Sequence, residues 1–230
     1  MKLKDKLFQH NITSESVRLG VILAVIGGFL DAYTYILEGG VFANAQTGNL
    51  VIFGINLSQG HFYKALYSFL PILAFIIGVF VCVIVKSKFN IPFDWEIIVI
   101  LIEAFVLLLI AIFPFRLPKL IVTTSISFVS SMQIQTFRKL VNSPYSTTMC
   151  TGNLRSGTEA LYLAIFQKDK DALEKAKRYY TIILFFLIGS ALGAYLSLNI
   201  GRLALLVPVF LLLFCTVLFK IDKKVFIDFN

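Results

Sequence analysis

The stretch "GGVFANAQTGNLVIFG", residues 39–54, decides how the rest of the chain is read. It follows an apolar run, Val17–Leu37, long enough to cross a bilayer, and it leads into more apolar sequence. Yet Asn44, Gln46, Thr47 and Asn49 crowd into it between small residues. Polar groups are costly in hydrocarbon unless protein or water satisfies them. The segment must therefore reach water or be enclosed by protein. A weaker copy, "STTMCTGNLRSG", stands at residues 146–157 and repeats Thr-Gly-Asn-Leu.

The whole chain has the composition of a membrane protein. Of its 230 residues 58% are hydrophobic and 15% charged, against about 25% charged in soluble domains, and the mean hydropathy is +0.84. A net charge of +8 raises nucleic acid as a partner. The basic residues lie at the edges of apolar runs rather than in a stripe, so lipid, not nucleic acid, is the expected partner. Cys82, Cys150 and Cys215 are odd in number and form no framework, so neither a disulfide nor a metal site is expected. The start, "MKLKDKLFQHNITSES", has polar residues where a cleaved signal would be apolar.

Six segments are expected to span, at about 20 apolar residues each: Val17–Leu37, Phe62–Val85, Ile97–Phe113, Leu120–Phe137, Tyr179–Leu198 and Leu203–Phe219. With six spans, one side carries 17 basic residues and the other 4. The positive-inside rule then puts both termini in the cytoplasm of an inner-membrane protein. Trp95, Phe62, Tyr63, Tyr179 and Tyr180 suit interfacial anchoring.

The chain also repeats itself. "GFLDA" at 28–32 corresponds to "SMQIQ" at 131–135, the two TGN motifs follow, and "KALYSFLPILAFIIG" at 64–78 then parallels "KAKRYYTIILFFLIG" at 175–189. The expectation is an all-α membrane protein, one integral domain over 1–230. Its two three-helix repeats, 17–113 and 120–219, have opposite topology. Inverted repeats of this kind are typical of secondary transporters, with the site at midplane between halves.

On the first span Gly20, Ala24, Gly27, Asp31 and Thr34 fall on one stripe, which Glu38 extends. Small residues let helices approach, so Asp31 faces the bundle. An intramembrane acid costs about 2.5–3.5 kcal/mol on the lenient insertion scale and is commonly functional. The competing reading has Asp31 solvated near the interface or capping a helix end. Glu103 is a second buried acid. On the fourth span Thr123, Thr124, Ser127, Ser130, Ser131 and Gln135 form a polar wedge, with Phe128, Val129 and Met132 toward lipid. Interhelical hydrogen bonding explains such a face; its width points further, to a wet pathway wall. Gly189 and Gly193 make a small-residue packing face.

Each TGN precedes a short apolar or amphipathic stretch. Thr47 or Asn49, and Thr151 or Asn153, are expected as N-caps, with Gly48 and Gly152 supplying the turn. The result is a broken segment followed by a half-helix, whose N-terminus favours anionic or polar solutes. The alternative is a capped turn at the membrane surface. Arg155 and Glu159 lie one turn apart and are either paired or both solvated. "QKDKDALEKAKR" at 167–178 reads as a water-facing helix.

Enzyme chemistry finds no anchor. His10 and His61 lie outside the spans, and no HExxH, phosphate loop or GxSxG occurs. No cofactor is expected. "GGFLDAYTYILEGGVFANAQTGNLV" with its degenerate second TGNL resembles the YoaK-type family of bacterial multi-spanning membrane proteins, described without an assigned function. The resemblance implies motif positions at Gly28, Asp31, Ala32, Thr47, Gly48 and Asn49. It gives them no roles. Ile134 stands where a second acid would fall, so the halves are not chemically equivalent. The functional expectation is a secondary transporter or permease for a small polar or anionic solute. Its pathway would use Asp31, Thr34, Asn44, Gln46, Thr47, Asn49, Glu103, Ser127, Ser131, Gln135, Thr151, Asn153, Arg155 and Glu159. A non-transporting scaffold or accessory subunit and a passive channel are the alternatives, and a homodimer is left open.

Overall fold

A computed structural model describes residues 17–88, 94–113, 117–137, 139–140, 143–144 and 150–228. The expectation for the N-terminal 16 residues falls outside these. The described chain is helical. Its helices are α1 (Val17–Leu37), α2 (Gln46–Ser58), α3 (Phe62–Lys88), α4 (Trp95–Ile112), α5 (Lys119–Thr136), α6 (Cys150–Phe166), α7 (Lys170–Ile200) and α8 (Leu206–Asp228). A 3-10 turn, Gly201–Leu205, joins α7 to α8, and a two-residue antiparallel pair links Lys139–Leu140 to Ser143–Pro144.

Among the described residues, four segments are long and apolar enough to cross a membrane: Val17–Leu37, Phe62–Lys88, Trp95–Ile112 and Lys170–Phe219. The last joins two expected spans, because the 3-10 turn carries the chain from one to the other without a loop. The fourth expected span is helical as α5, but its hydroxyls and amides keep it out of this set. Phe80, Phe105, Leu187 and Phe210 turn their rings or side chains outward and are all 60% exposed or more. In a protein bathed by lipid that is the stable arrangement, since hydrocarbon solvates them.

Packing follows the small residues. α1 lies against α7, α3 against α5, α2 against α3, α6 against α7, and α4 against α8. A Cβ on Gly28 would run into the carbonyl of Phe186, and one on Gly189 into that of Val25. Gly193 has slightly more room, a Cβ there meeting the Phe29 carbonyl oxygen at 2.6 Å. Gly78 meets the Phe128 carbonyl and the Ser131 hydroxyl in the α3–α5 contact. Backbones this close exclude any side chain larger than hydrogen, so the packing expectation for Gly189 and Gly193 holds.

α5 corrects one sequence inference. Val129 and Met132 do not face lipid; they are 2% and 4% exposed, and Met132 packs with Cys82, Trp95 and Val99. The helix is surrounded by α3, α4 and α1 rather than lying at the edge. α7 begins where the charged run was expected to face water. Asp169 caps it by accepting from the Asp171 and Ala172 amides, and Lys177 pairs with Glu174 at 2.7 Å.

Candidate functional site

The site is built around the junction of α1 with the short loop before α2. α1 ends at Leu37, and Gly39 and Gly40, with φ of 102° and 75°, turn the chain back. Only glycine adopts those values without strain. The returning segment lays Asn44 beside Asp31. Asp31 Oδ1 accepts the Asn44 amide at 2.6 Å, and the Ala43 and Ala45 amides also act on the carboxylate. Asn44 Nδ2 donates to the Gly27 carbonyl at 3.2 Å.

The TGN motif then works differently from the capped turn expected of it. Ala45 is the N-cap of α2, with no side-chain cap bond, and Thr47, Gly48 and Asn49 lie inside the first turn. Neither Gly48 nor Gly152 has positive φ. Instead Asn49 acts as a clamp. Its Oδ1 accepts the Phe42 amide at 2.8 Å, and its Nδ2 donates to the Phe42 carbonyl at 2.7 Å and to Gln46 Oε1 at 2.9 Å. Gly48 makes room for the Phe42 ring, which a Cβ would meet at 2.9 Å. Asp31 reaches from another helix to the amides just ahead of the first turn of α2, at Ala43, Asn44 and the N-cap Ala45.

Gln46 carries the site outward. Its Nε2 donates to the Ala43 carbonyl at 2.8 Å and to Ser127 Oγ at 2.9 Å, and Ser127 donates in turn to the Pro71 carbonyl at 2.8 Å. α2, the loop before it, α5 and α3 are thereby tied by polar contacts that run through one glutamine and Ser127.

Beside this network lies a cavity of about 610 Å³, within the usual range for small-molecule sites. Asp31, Asn44, Gln46 and Thr47 line it from the first half, and Thr151, with Cys150 and Gly152, from the second. α6 begins at Cys150, so its TGN, like the first, occupies an opening helical turn and Thr151 and Asn153 are not N-caps. Ile134 also lines the cavity.

The other expected site residues lie elsewhere. Thr34 is buried and returns its hydroxyl to the Leu30 carbonyl at 2.9 Å. Asn49 and Asn153 are buried beneath their helices rather than at the cavity wall. Ser127 and Ser131 spend their hydroxyls on backbone carbonyls, and α5 contributes only Ile134 to the cavity. The polar wedge thus serves packing, and a wet wall along it is not what the structure shows. Gln135 is half-buried and off the cavity. Glu103 is fully buried away from it; Ser130 donates to its Oε1 at 3.4 Å, and the Gln133 side chain also acts on the carboxyl group. Arg155 and Glu159 are both exposed and make no ion pair with each other.

Sequence reasoning missed the cavity's aromatic wall. Tyr35, Phe42, Phe75 and Phe186 line it, and the Tyr35 and Phe42 rings stack with centroids 5.0 Å apart. These residues look like ordinary lipid-facing aromatics in a chain with 23 phenylalanines. The available signal was position: Tyr35 follows Asp31 by one helical turn. All three cysteines are free, and the described residues hold no cluster suited to a metal ion.

A helical transmembrane protein with a polar, acid-bearing cavity between two TGN elements is the class these features define. The chain belongs to the family described as "Protein of unknown function (DUF1275)", whose model matches residues 19–218. It is 26% identical over 200 residues to "UPF0700 transmembrane protein YoaK" of Bacillus subtilis (strain 168), covering 83% of this chain and 88% of that one. The YoaK-type resemblance read from the motif is thereby established. No solved structure gives a significant match.

Proposed function

We propose that the chain is a six-span inner-membrane transporter or permease for a small polar solute, built from two inverted repeats with both termini cytoplasmic. The observation that carries this is the cavity lined by both TGN elements and Asp31.

The repeat has structural support. By the sequence correspondence α1 matches α5, α3 matches α7, and the TGN helices α2 and α6 match each other. The packing obeys the same exchange: α1 on α7 mirrors α5 on α3, and α2 on α3 mirrors α6 on α7. It extends to single residues. Gly189 abuts the Val25 carbonyl, and its counterpart Gly78 abuts the carbonyl of Phe128, the counterpart of Val25. α2 and α6 fit re-entrant elements. α2 has 13 residues, about 20 Å at 1.5 Å per residue, too short for a hydrocarbon core of about 30 Å. Both helices show apolar residues outward, Leu50, Val51 and Ile55 on α2 and Leu154 and Ile165 on α6. Both bury an asparagine inward.

An anionic solute loses its basis at α2, since the Asp31 carboxylate already stands just ahead of its first turn. The scaffold alternative draws on the same bond, which gives Asp31 a structural task without transport. Uptake into proteoliposomes of labelled ethanolamine, glycerol and glycine separates the two. The transporter account expects at least one to enter faster than in protein-free vesicles, and slower again with Asp31→Asn. No uptake above protein-free vesicles for any of them favours the scaffold. Entry that a proton gradient cannot drive uphill identifies a channel.

A further inference from the structure

We infer that the cavity takes a small organic cation, an ammonium group on an apolar body; this rests on the cavity being the solute site proposed above. Its charge points one way, while the Tyr35, Thr47, Thr151 and Ser190 hydroxyls on the wall can donate or accept. Among the described residues, Asp31 is the only charged side chain on its wall, and no Lys, Arg or His joins it there. The amide donors nearby are already committed. The Asn44 backbone N–H goes to Asp31, the Asn44 Nδ2 to Gly27, and the Gln46 Nε2 to Ala43 and Ser127. One acceptor is also unmet: Asn44 is 6% exposed and lines the cavity, and its Oδ1, itself buried, has no hydrogen-bond donor among the described residues. A buried acceptor without a donor is an unmet cost that a ligand N–H can remove. An entering anion would meet a carboxylate and no cation on the lining.

The apolar part of the wall fits the same ligand. Tyr35, Phe42, Phe75 and Phe186 present aromatic surface, and a cation within about 6 Å of such a ring is attracted by its quadrupole. The carboxylate supplies charge, the rings receive the body and share the cation, and Asn44 accepts a hydrogen. The pairing of one acid with several rings discriminates an ammonium from a neutral molecule of the same shape.

Cys150 makes this testable in the unmodified chain. It lines the cavity and is half-buried, whereas Cys82 and Cys215 are 1% and 0% exposed. The full chain in nanodiscs is treated with a cationic trimethylammonium methanethiosulfonate or its anionic sulfonate analogue, and modification of Cys150 is followed by peptide mass spectrometry. Each rate is normalised to that of a small free thiol. The expected preference for the cationic reagent is about tenfold or more, the scale of focusing in a charged cleft, and Asp31→Asn abolishes it. Phenethylammonium should slow labelling by a neutral maleimide, while phenylacetate and phenylethanol should not. Equal normalised rates overturn the cation assignment and leave the cavity standing. So does a preference that survives Asp31→Asn, or protection that fails to single out phenethylammonium. If Asp31→Asn does not fold, the wild-type rates and protection decide alone. Failure of every reagent to reach Cys150 overturns the accessible cavity itself.

Discussion

Asp31 and Asn44, thirteen residues apart, are joined by a 2.6 Å hydrogen bond from the Asn44 amide to the Asp31 carboxylate. The bond places an acid of α1 just ahead of the first turn of α2. Stability and solute contact therefore meet in one side chain, and the two can be separated. Asp31→Asn keeps an acceptor oxygen and should cost little stability. Asp31→Ala leaves the amide without its partner and should cost about 1–3 kcal/mol. Thermal unfolding in detergent checks the order; equal losses would show that the bond does not hold α2.

Asn49 should be sensitive to substitution. It makes two bonds to the Phe42 backbone and one to Gln46. Asn49→Ala should lower stability by about 1–3 kcal/mol, and Asn49→Asp should not rescue it, because the Phe42 carbonyl needs a donor. Unfolding midpoints of the three proteins test this.

The glycines should divide sharply. Gly28→Ala, Gly78→Ala and Gly189→Ala each push a Cβ into the backbone of a neighbouring helix, where overpacking costs about 1–3 kcal/mol or more. Gly152 has nothing within 4 Å of the added carbon and sits in a helix. Gly152→Ala should be neutral or stabilise by about 0.5–1 kcal/mol. Gly48→Ala should fall between, since the obstacle is the Phe42 ring and not backbone. The yield of folded protein by size-exclusion chromatography and its unfolding midpoint give the ranking.

Topology is open to a direct check. A cysteine at Gln59, in the turn after α2, should react with a membrane-impermeant maleimide in intact cells. One at Lys168, before α7, should react only after permeabilisation. The reverse pattern would invert the assigned orientation.

Much of this was legible in the sequence because membrane helices announce themselves by composition, and a repeated motif announces symmetry. The end of the first span at Leu37 was legible to the residue. Thr47-Gly48-Asn49 recurs in the sequence as Thr151-Gly152-Asn153, and Thr47 and Thr151 line one cavity. What escaped were facts set by neighbours. Gly48 looked like a turn residue, but its purpose is the Phe42 ring, six positions back and indistinguishable in sequence from any apolar residue. Met132 was assigned to lipid because a helical wheel shows which residues share a face but not how many helices surround it. The hydroxyls of Ser127 and Ser131 suggested water, yet the Pro71 and Phe128 carbonyls take them. Asp31 was singled out correctly as a buried acid, but its hydrogen-bond partner depends on the Gly39–Gly40 turn, which only the fold makes visible.

The central claim is that the two TGN elements face one cavity within a single chain. Thr47→Cys and Thr151→Cys, combined with Cys82→Ala, Cys150→Ala and Cys215→Ala, allow a graded set of bismaleimides to bridge them. The account predicts an intramolecular crosslink between positions 47 and 151, identified by mass spectrometry of the joined peptides. Labelling of each cysteine singly, with no crosslink at any reagent length, would contradict it.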